Sequence, residues 1–278
     1  MRHLPAHLLT LALLALTLHA DAALVADINL DRLRQAPEAG DVQARLDAMI
    51  PPQAQERLAA LAEHFDCDPR RDLHRVVVSL PDQGAPTIRL IGLPAEAIAA
   101  ALAMRSAGQP VLGGLTGYPL PNRPNALLVA LGPHDALIGR ADLLAKETSR
   151  PATLPPLDPQ VGVHVRIVPG HHPLHDALTL VKDLELVSDG MGGLRMSVTA
   201  HSEADAQELS KRYDALRDLS SSAAGQVLPG IQRMGRLLAV TTLQRDGEHL
   251  TLAGTIPTEL RSDGIDRILD RLEGRMGR

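Results

Sequence analysis

Four histidines have the residue type and spacing that most directly suggest chemistry. His171, His172 and His175 fall within Gly170-His171-His172-Pro173-Leu174-His175, and His164 lies on the apolar stretch just before them. Imidazole is a good ligand for zinc, copper and nickel. If Pro173 opens a helical turn, His172 and His175 come to the same side of it, and Asp176 adds a nearby carboxylate. A stable zinc site takes three or four ligands in a tetrahedral array. His164, His171, His172 and His175 are therefore the expected ligands if the chain holds a metal. The competing reading is a polar loop at a helix start, because histidine runs are compositional hints. No cofactor is expected.

Other reactive types lack the partners that chemistry requires. Cys67 is the single cysteine, and it stands beside Phe65 with no electropositive setting or histidine base legible around it. A catalytic thiol needs both, so Cys67 reads as a buried residue. Ser220, Ser221 and Ser222 sit in a run of small residues, and neither a Gly-x-Ser-x-Gly elbow nor a Ser-x-x-Lys pair is present. Val111-Leu112-Gly113-Gly114-Leu115-Thr116-Gly117 is glycine-rich but lacks the spacing and lysine of a phosphate loop. It reads as a bent strand. Asp183, Glu185 and Asp189 resemble an acid cluster, but they fall on a wet strand face or at a turn, where charge is ordinarily solvated. No catalytic residue is expected, and the chain reads as more binding protein than enzyme.

The elements that would carry a binding surface are clearer. Leu184 to Val187 reads as a strand, followed by a turn through Ser188-Asp189-Gly190-Met191-Gly192-Gly193. In the next strand Leu194, Met196, Val198 and Ala200 alternate with Arg195, Ser197, Thr199 and His201, which gives one dry face and one wet face. A helix opening at Ser202 places Ala206, Leu209, Tyr213 and Leu216 on one stripe. Similar units recur. Strands are expected at 23–30, 74–80, 87–93, 125–131, 136–140, 161–168, 237–244 and 249–255. Helices are expected at 42–49, around 58–65, and at 95–105, 141–146, 227–234 and 259–272. Asp246-Gly247 marks the last hairpin turn.

The prolines at 151, 155, 156 and 159 make an extended, semi-rigid connection. On each side of it the order is hairpin, helix, hairpin, helix. The expected fold is α+β, in two similar halves, each an antiparallel sheet of hairpins with helices on one face. The expected organisation is a signal peptide over 1–22, a first half over 23–150 and a second over 151–278.

The signal peptide follows from Met1-Arg2-His3, the apolar run Leu8 to Leu18 and the small-x-small site Ala20-Asp21-Ala22. The run is too short to anchor in a bilayer, which takes about 20 apolar residues. No later stretch reads as a membrane span. A periplasmic or extracellular location is expected.

Composition removes further classes. The net charge is -5 and the basic residues are scattered among acids, so no phosphate-tracking stripe exists and nucleic acid is a poor partner. The chain has no Trp, one Phe and two Tyr. It therefore lacks the aromatic platforms on which bases stack. The partner that remains is a protein or an apolar ligand.

One turn carries a resemblance. Phe65-Asp66-Cys67-Asp68-Pro69-Arg70-Arg71-Asp72, followed by the strand His74-Arg75-Val76-Val77-Val78, resembles a pattern in uncharacterised exported bacterial proteins, in which a helix closes into an Asp-Pro-x-x-Asp turn before a hydrophobic strand. The resemblance agrees with export. It implies no activity and supplies no functional residues. Physically, Asp68-Pro69 starts the turn and Asp72 caps it or pairs with Arg70 or Arg71.

Overall fold

The structure is a computed structural model that describes residues 22–40, 43–44, 52–81, 86–121, 123–145, 153–156, 158–169, 179–222 and 229–262. The expected signal peptide and the expected helix at 42–49 lie outside these residues, apart from Ala22 and positions 43–44.

The first segment contains β1 (Ala22–Asn29), α1 (Leu30–Leu33), α2 (Pro52–Phe65), α3 (Pro69–Asp72), β2 (Arg75–Leu80), β3 (Thr87–Ile91) and α4 (Ala95–Ala103). It continues with β4 (Gln109–Val111), β5 (Leu115–Leu120), β6 (Arg123–Gly132), β7 (Asp135–Arg140) and α5 (Ala141–Leu144). The second contains β8 (Val163–Pro169), β9 (Val181–Ser188), β10 (Gly193–Ala200), α6 (Glu203–Ser221), α7 (Pro229–Ala239), β11 (Thr241–Asp246) and β12 (His249–Thr255).

These strands form one continuous antiparallel sheet of twelve, in the order β11-β12-β10-β9-β8-β1-β2-β3-β7-β6-β5-β4. The expectation of one sheet per half is corrected here, because β1 pairs with β2 on one side and β8 on the other. Leu24, Ala26 and Ile28 face the same way as Val76 on β2 and as Val163, Val165 and Ile167 on β8. With Leu30 and Leu33 of α1 they make one core that draws on both segments.

The registers extend this dry face across the sheet. Ala95, Ala99 and Leu102 of α4 pack on Leu128 and Ala136 at one end, and Ala206 of α6 packs with Ala200 and Leu250 at the other. The small α5 departs from the one-face expectation. Leu144 joins Leu127, Val129 and Leu137 on the opposite face, so β6 is dry on both sides, as its unbroken run Ala126-Leu127-Leu128-Val129-Ala130-Leu131 requires.

Three further expectations change. The glycine-rich stretch is a hairpin, β4 to β5, whose turn puts Leu112, Gly113 and Gly114 at positive φ. Residues 237–239 end α7 instead of opening a strand, which starts at Thr241. Leu216 is exposed. The hydroxyl of Tyr213 already reaches the carbonyl of Thr241 on β11, the last strand of the sheet, and beyond it, among the described residues, no strand covers the stripe.

Candidate functional site

The wet face is recessed where the two segments meet. A cleft of about 410 Å³ lies there, lined among others by Asp27, Arg75, Pro155, Pro156, Asp158, Val161, His164, Glu185, Val187, Arg195 and Ser197. Strand alternation and register place these groups. Asp27 stands opposite Val77 on β2 and His164 on β8. His164 stands opposite Val187, and Val187 opposite Arg195. One row of side chains thus crosses four strands from Asp27 to Arg195, on the face that the large helices leave open.

Pairing inside the cleft is nearly complete. Arg75, buried at the start of β2, donates its Nε to Asp27 at 2.8 Å and a second guanidinium nitrogen to the other carboxylate oxygen. Its third nitrogen donates to the carbonyl of Pro155 at 2.9 Å, so the proline-rich connection is tied down as one wall. His164 Nε2 lies 2.6 Å from Glu185 Oε1. Asp158 accepts from the backbone N–H of Gln160 at 2.8 Å. Further along the same face, the exposed Arg166 donates twice to Asp183 at 3.1 Å. That pairing raises the guanidinium's already high affinity for its proton.

Arg195 is the exception. It is exposed, and among the described residues no acid or hydrogen-bond acceptor partners it. Its cross-strand neighbours are Val187 and Ala253, neither of which carries a charge. Ser197, two residues on and on the same face, stands opposite Glu185 on β9 and Thr251 on β12.

The residues singled out from sequence distribute as follows. Arg195 and Ser197 line the cleft. Thr199 lies on the same face with its hydroxyl 3.3 Å from His249 Nδ1. His201 falls one residue past the end of β10 and is exposed. Of the four histidines, His164 is in the cleft with Nε2 engaged by Glu185, and His171, His172 and His175 lie outside the described residues. Among the described residues no three His, Cys, Asp or Glu side chains cluster closely enough to hold a metal ion.

The remaining candidates have structural roles. Asp189 accepts from the N–H groups of Met191 and Gly193 and closes the β9–β10 turn. Ser220, Ser221 and Ser222 donate to the carbonyls of Arg217, Asp218 and Leu219 at the end of α6. Cys67 is a free, buried thiol. Burial first, and then the negative charge of Asp72, pushes its pKa up, away from a reactive thiolate.

Sequence reasoning did not find Asp27 or Arg75, nor Asn29, which also lines the cleft. A signal was present: Asp27 interrupts the apolar stretch Ala22 to Ile28, and Arg75 opens Val76-Val77-Val78. Charges set into apolar strands need partners.

Among the described residues no helix is long and apolar enough to cross a membrane. No family model and no curated protein matches the chain. Among solved structures it is similar to crystal forms of TP0453. With form III the TM-score is 0.41 at 14% identity over 88% of this chain and 93% of that one. With form I the TM-score is 0.39 at 14% identity over 90% and 94%.

Proposed function

We propose that the chain is a non-catalytic, exported protein of the cell envelope that binds a protein partner on the open face of its sheet. The observation that carries this reading is the cleft at the β1–β8 seam, a recessed polar surface in which Arg75 is paired with Asp27 and His164 with Glu185. Pre-paired groups cost little to hold in place when a partner arrives. An apolar ligand fits less well, because carboxylates and guanidiniums ring the cleft. Export is supported by the tripartite N-terminus.

Two similar halves, 23–150 and 151–278, belong to the same reading. In the pairing order, β1-β2-β3-β7-β6 parallels β8-β9-β10-β12-β11, with a helix after the third strand in each. The β4–β5 hairpin is then an insertion in the first half, and the β1–β8 pair joins the two antiparallel.

Two measurements test the proposal. Expressed with its leader in a bacterial host, the chain should leave the cytoplasm and begin at Ala23 by intact mass; a cytoplasmic chain retaining Met1 sinks the export claim. A photo-crosslinker at Thr199, on the open face, should capture a defined envelope protein that the same crosslinker at Met104 does not. That capture should be reproduced with the purified partner. Equal capture from both positions, or none, removes the binding claim.

A further inference from the structure

We propose that β11 pairs edge to edge with the β11 of a second copy of this chain, about a two-fold axis through Gln244, and so joins two sheets into one. This surface lies at the end of the sheet, apart from the cleft, and is independent of it.

The two edges of the sheet differ. β4 is three residues long and contains Pro110, and shortness and proline both blunt an edge. β11 is six residues long, holds no proline and keeps an unbroken register with β12. In an antiparallel pair every second residue exchanges both backbone bonds with its opposite number. The N–H of Ala200 donates to the carbonyl of Glu248, so Leu250 and Leu252 bond back to β10, while His249, Thr251 and Ala253 bond to β11. Leu243 and Arg245 stand opposite Leu252 and Leu250. Their N–H and C=O groups therefore point out of the edge, and among the described residues those groups have no partner. Thr241 also points outward, but the Tyr213 hydroxyl already donates to its carbonyl.

These open groups are self-complementary. An axis through Gln244 sets Leu243 of each copy opposite Arg245 of the other, which satisfies the outward groups of both residues. On the open face Gln244 meets its own counterpart, and Thr242 brings a hydroxyl to the Asp246 carboxylate of the other copy. On the helix side, where Leu243 packs with Ala206 and Leu209, the stem of Arg245 from the other copy lies against Leu243. No like charges stand directly opposite. An axis at Arg245 would set two guanidiniums against each other. An axis at Leu243 would call on Thr241, whose carbonyl is occupied.

Apolar surface gathers at the same place. Leu216, Leu219 and Leu237 are the exposed leucines among the described residues, and all three lie on α6 and α7, the helices that touch β11. An axis normal to the sheet puts both sets of leucines on one side of the joined sheet. A second copy thus brings helices with a matching apolar surface, which a lone added strand does not. Thr241 of one copy lies about 20 Å along the strands from Thr241 of the other. Packed helices are roughly 8–10 Å apart, so both helix pairs have room beside the axis.

The test is sedimentation velocity on the purified chain from about 1 to 200 μM, with far-UV circular dichroism of every variant to follow folding. Wild type should pass reversibly from monomer to dimer within that range. Gln244→Lys and Gln244→Glu each set like charges together on the axis, and each should weaken the dimer about fivefold. An equal mixture of the two should associate at least as tightly as wild type. Arg245→Pro removes an outward N–H that β12 does not use, so the monomer should keep its fold and the dimer should be lost.

A monomer throughout the range overturns the proposal. Species larger than a dimer do so too, because two-fold pairing consumes both edges. The same holds for a dimer that the Gln244 variants leave at full strength, or one that their mixture fails to restore. If Arg245→Pro does not fold, the charge-swapped pair decides alone. If it folds and dimerises like wild type, β11 is not the interface.

Discussion

At the scale of residues, the cleft and the turn before β2 depend on a few charges whose partners are fixed. Arg75 is the clearest. Removing one member of a buried pair leaves the other uncompensated, which costs about 3–5 kcal/mol. Arg75→Ala should therefore lower stability by about 3 kcal/mol in urea denaturation, and the doubly apolar variant Arg75→Met with Asp27→Leu should recover most of it. If the single variant costs nothing, the pair does not anchor the connection through Pro155. Asp72 makes a pH-dependent contribution. Its carboxylate accepts from Arg71 Nε and from the backbone N–H of Asp68, and the Arg71 bond is the largest cause holding its pKa below the usual value. A depressed carboxylate pKa adds stability above the unfolded value of about 3.9, and that stability is lost as pH falls through the folded value. Asp72→Asn should accordingly destabilise the protein at pH 7 by about 1 kcal/mol, and the difference from wild type should shrink as pH falls through the depressed folded-state pKa of Asp72. An undiminished difference in acid would place the effect elsewhere. The same variant should make Cys67 react faster with iodoacetamide, because one cause of its raised pKa is the Asp72 charge.

At the scale of elements, capping and close approach decide where strands and helices meet. Ser202 caps α6 by accepting from the N–H of Asp205 at 3.2 Å while its hydroxyl donates to the Asp205 carboxylate at 2.7 Å. Ser202→Ala should cost about 1 kcal/mol, read as a lower denaturation midpoint with an unchanged slope. Gly92 follows β3 at φ +115°, and a Cβ there would run into the carbonyl of Asp72 and the backbone of His74. Its own N–H donates to the carbonyl of His134 at 2.8 Å. Gly92→Ala should be among the more damaging single changes, at about 2–4 kcal/mol; a shift under about 0.5 kcal/mol would mean the loop adjusts freely. The paired alternation of β10, the Ser202 start of α6 and the Asp246-Gly247 turn were all legible in sequence, because each is set by neighbours within a few residues. The β4–β5 hairpin was not. Its turn uses Leu112 at φ 44°, a conformation that a leucine gives no local reason to expect. The start of β11 was also misplaced, because Leu237, Leu238 and Ala239 suit a helix as well as a strand.

At the scale of the whole molecule, the decisive contact is β1 with β8. Leu24, Ala26 and Ile28 are almost fully buried against residues from both segments. Severing the chain near residue 150 would leave β1 and β8 each as a bare apolar edge. The full chain should therefore unfold in one cooperative transition, with far-UV circular dichroism and calorimetry superimposing, since there is no Trp to report by fluorescence. Fragment 23–150 alone should aggregate or remain unfolded. Two separated transitions, or a folded monomeric fragment, would show that each segment is stable without the seam.

The sequence by itself determined the class of the fold, most of its strands, the wet and dry sides of β10, and the poverty of aromatic platforms, because alternation, turn chemistry and composition act over short range. It also pointed to Arg195 and Ser197 as open-face residues. It could not say that β1 and β8 would meet, or that Asp27, Arg75, His164 and Glu185 would surround those two residues. Strand pairing over more than a hundred residues leaves no local mark, since it depends on which apolar faces find each other when the sheet assembles. Only the tertiary structure brought Pro155 of the proline-rich connection against Arg75 at the seam.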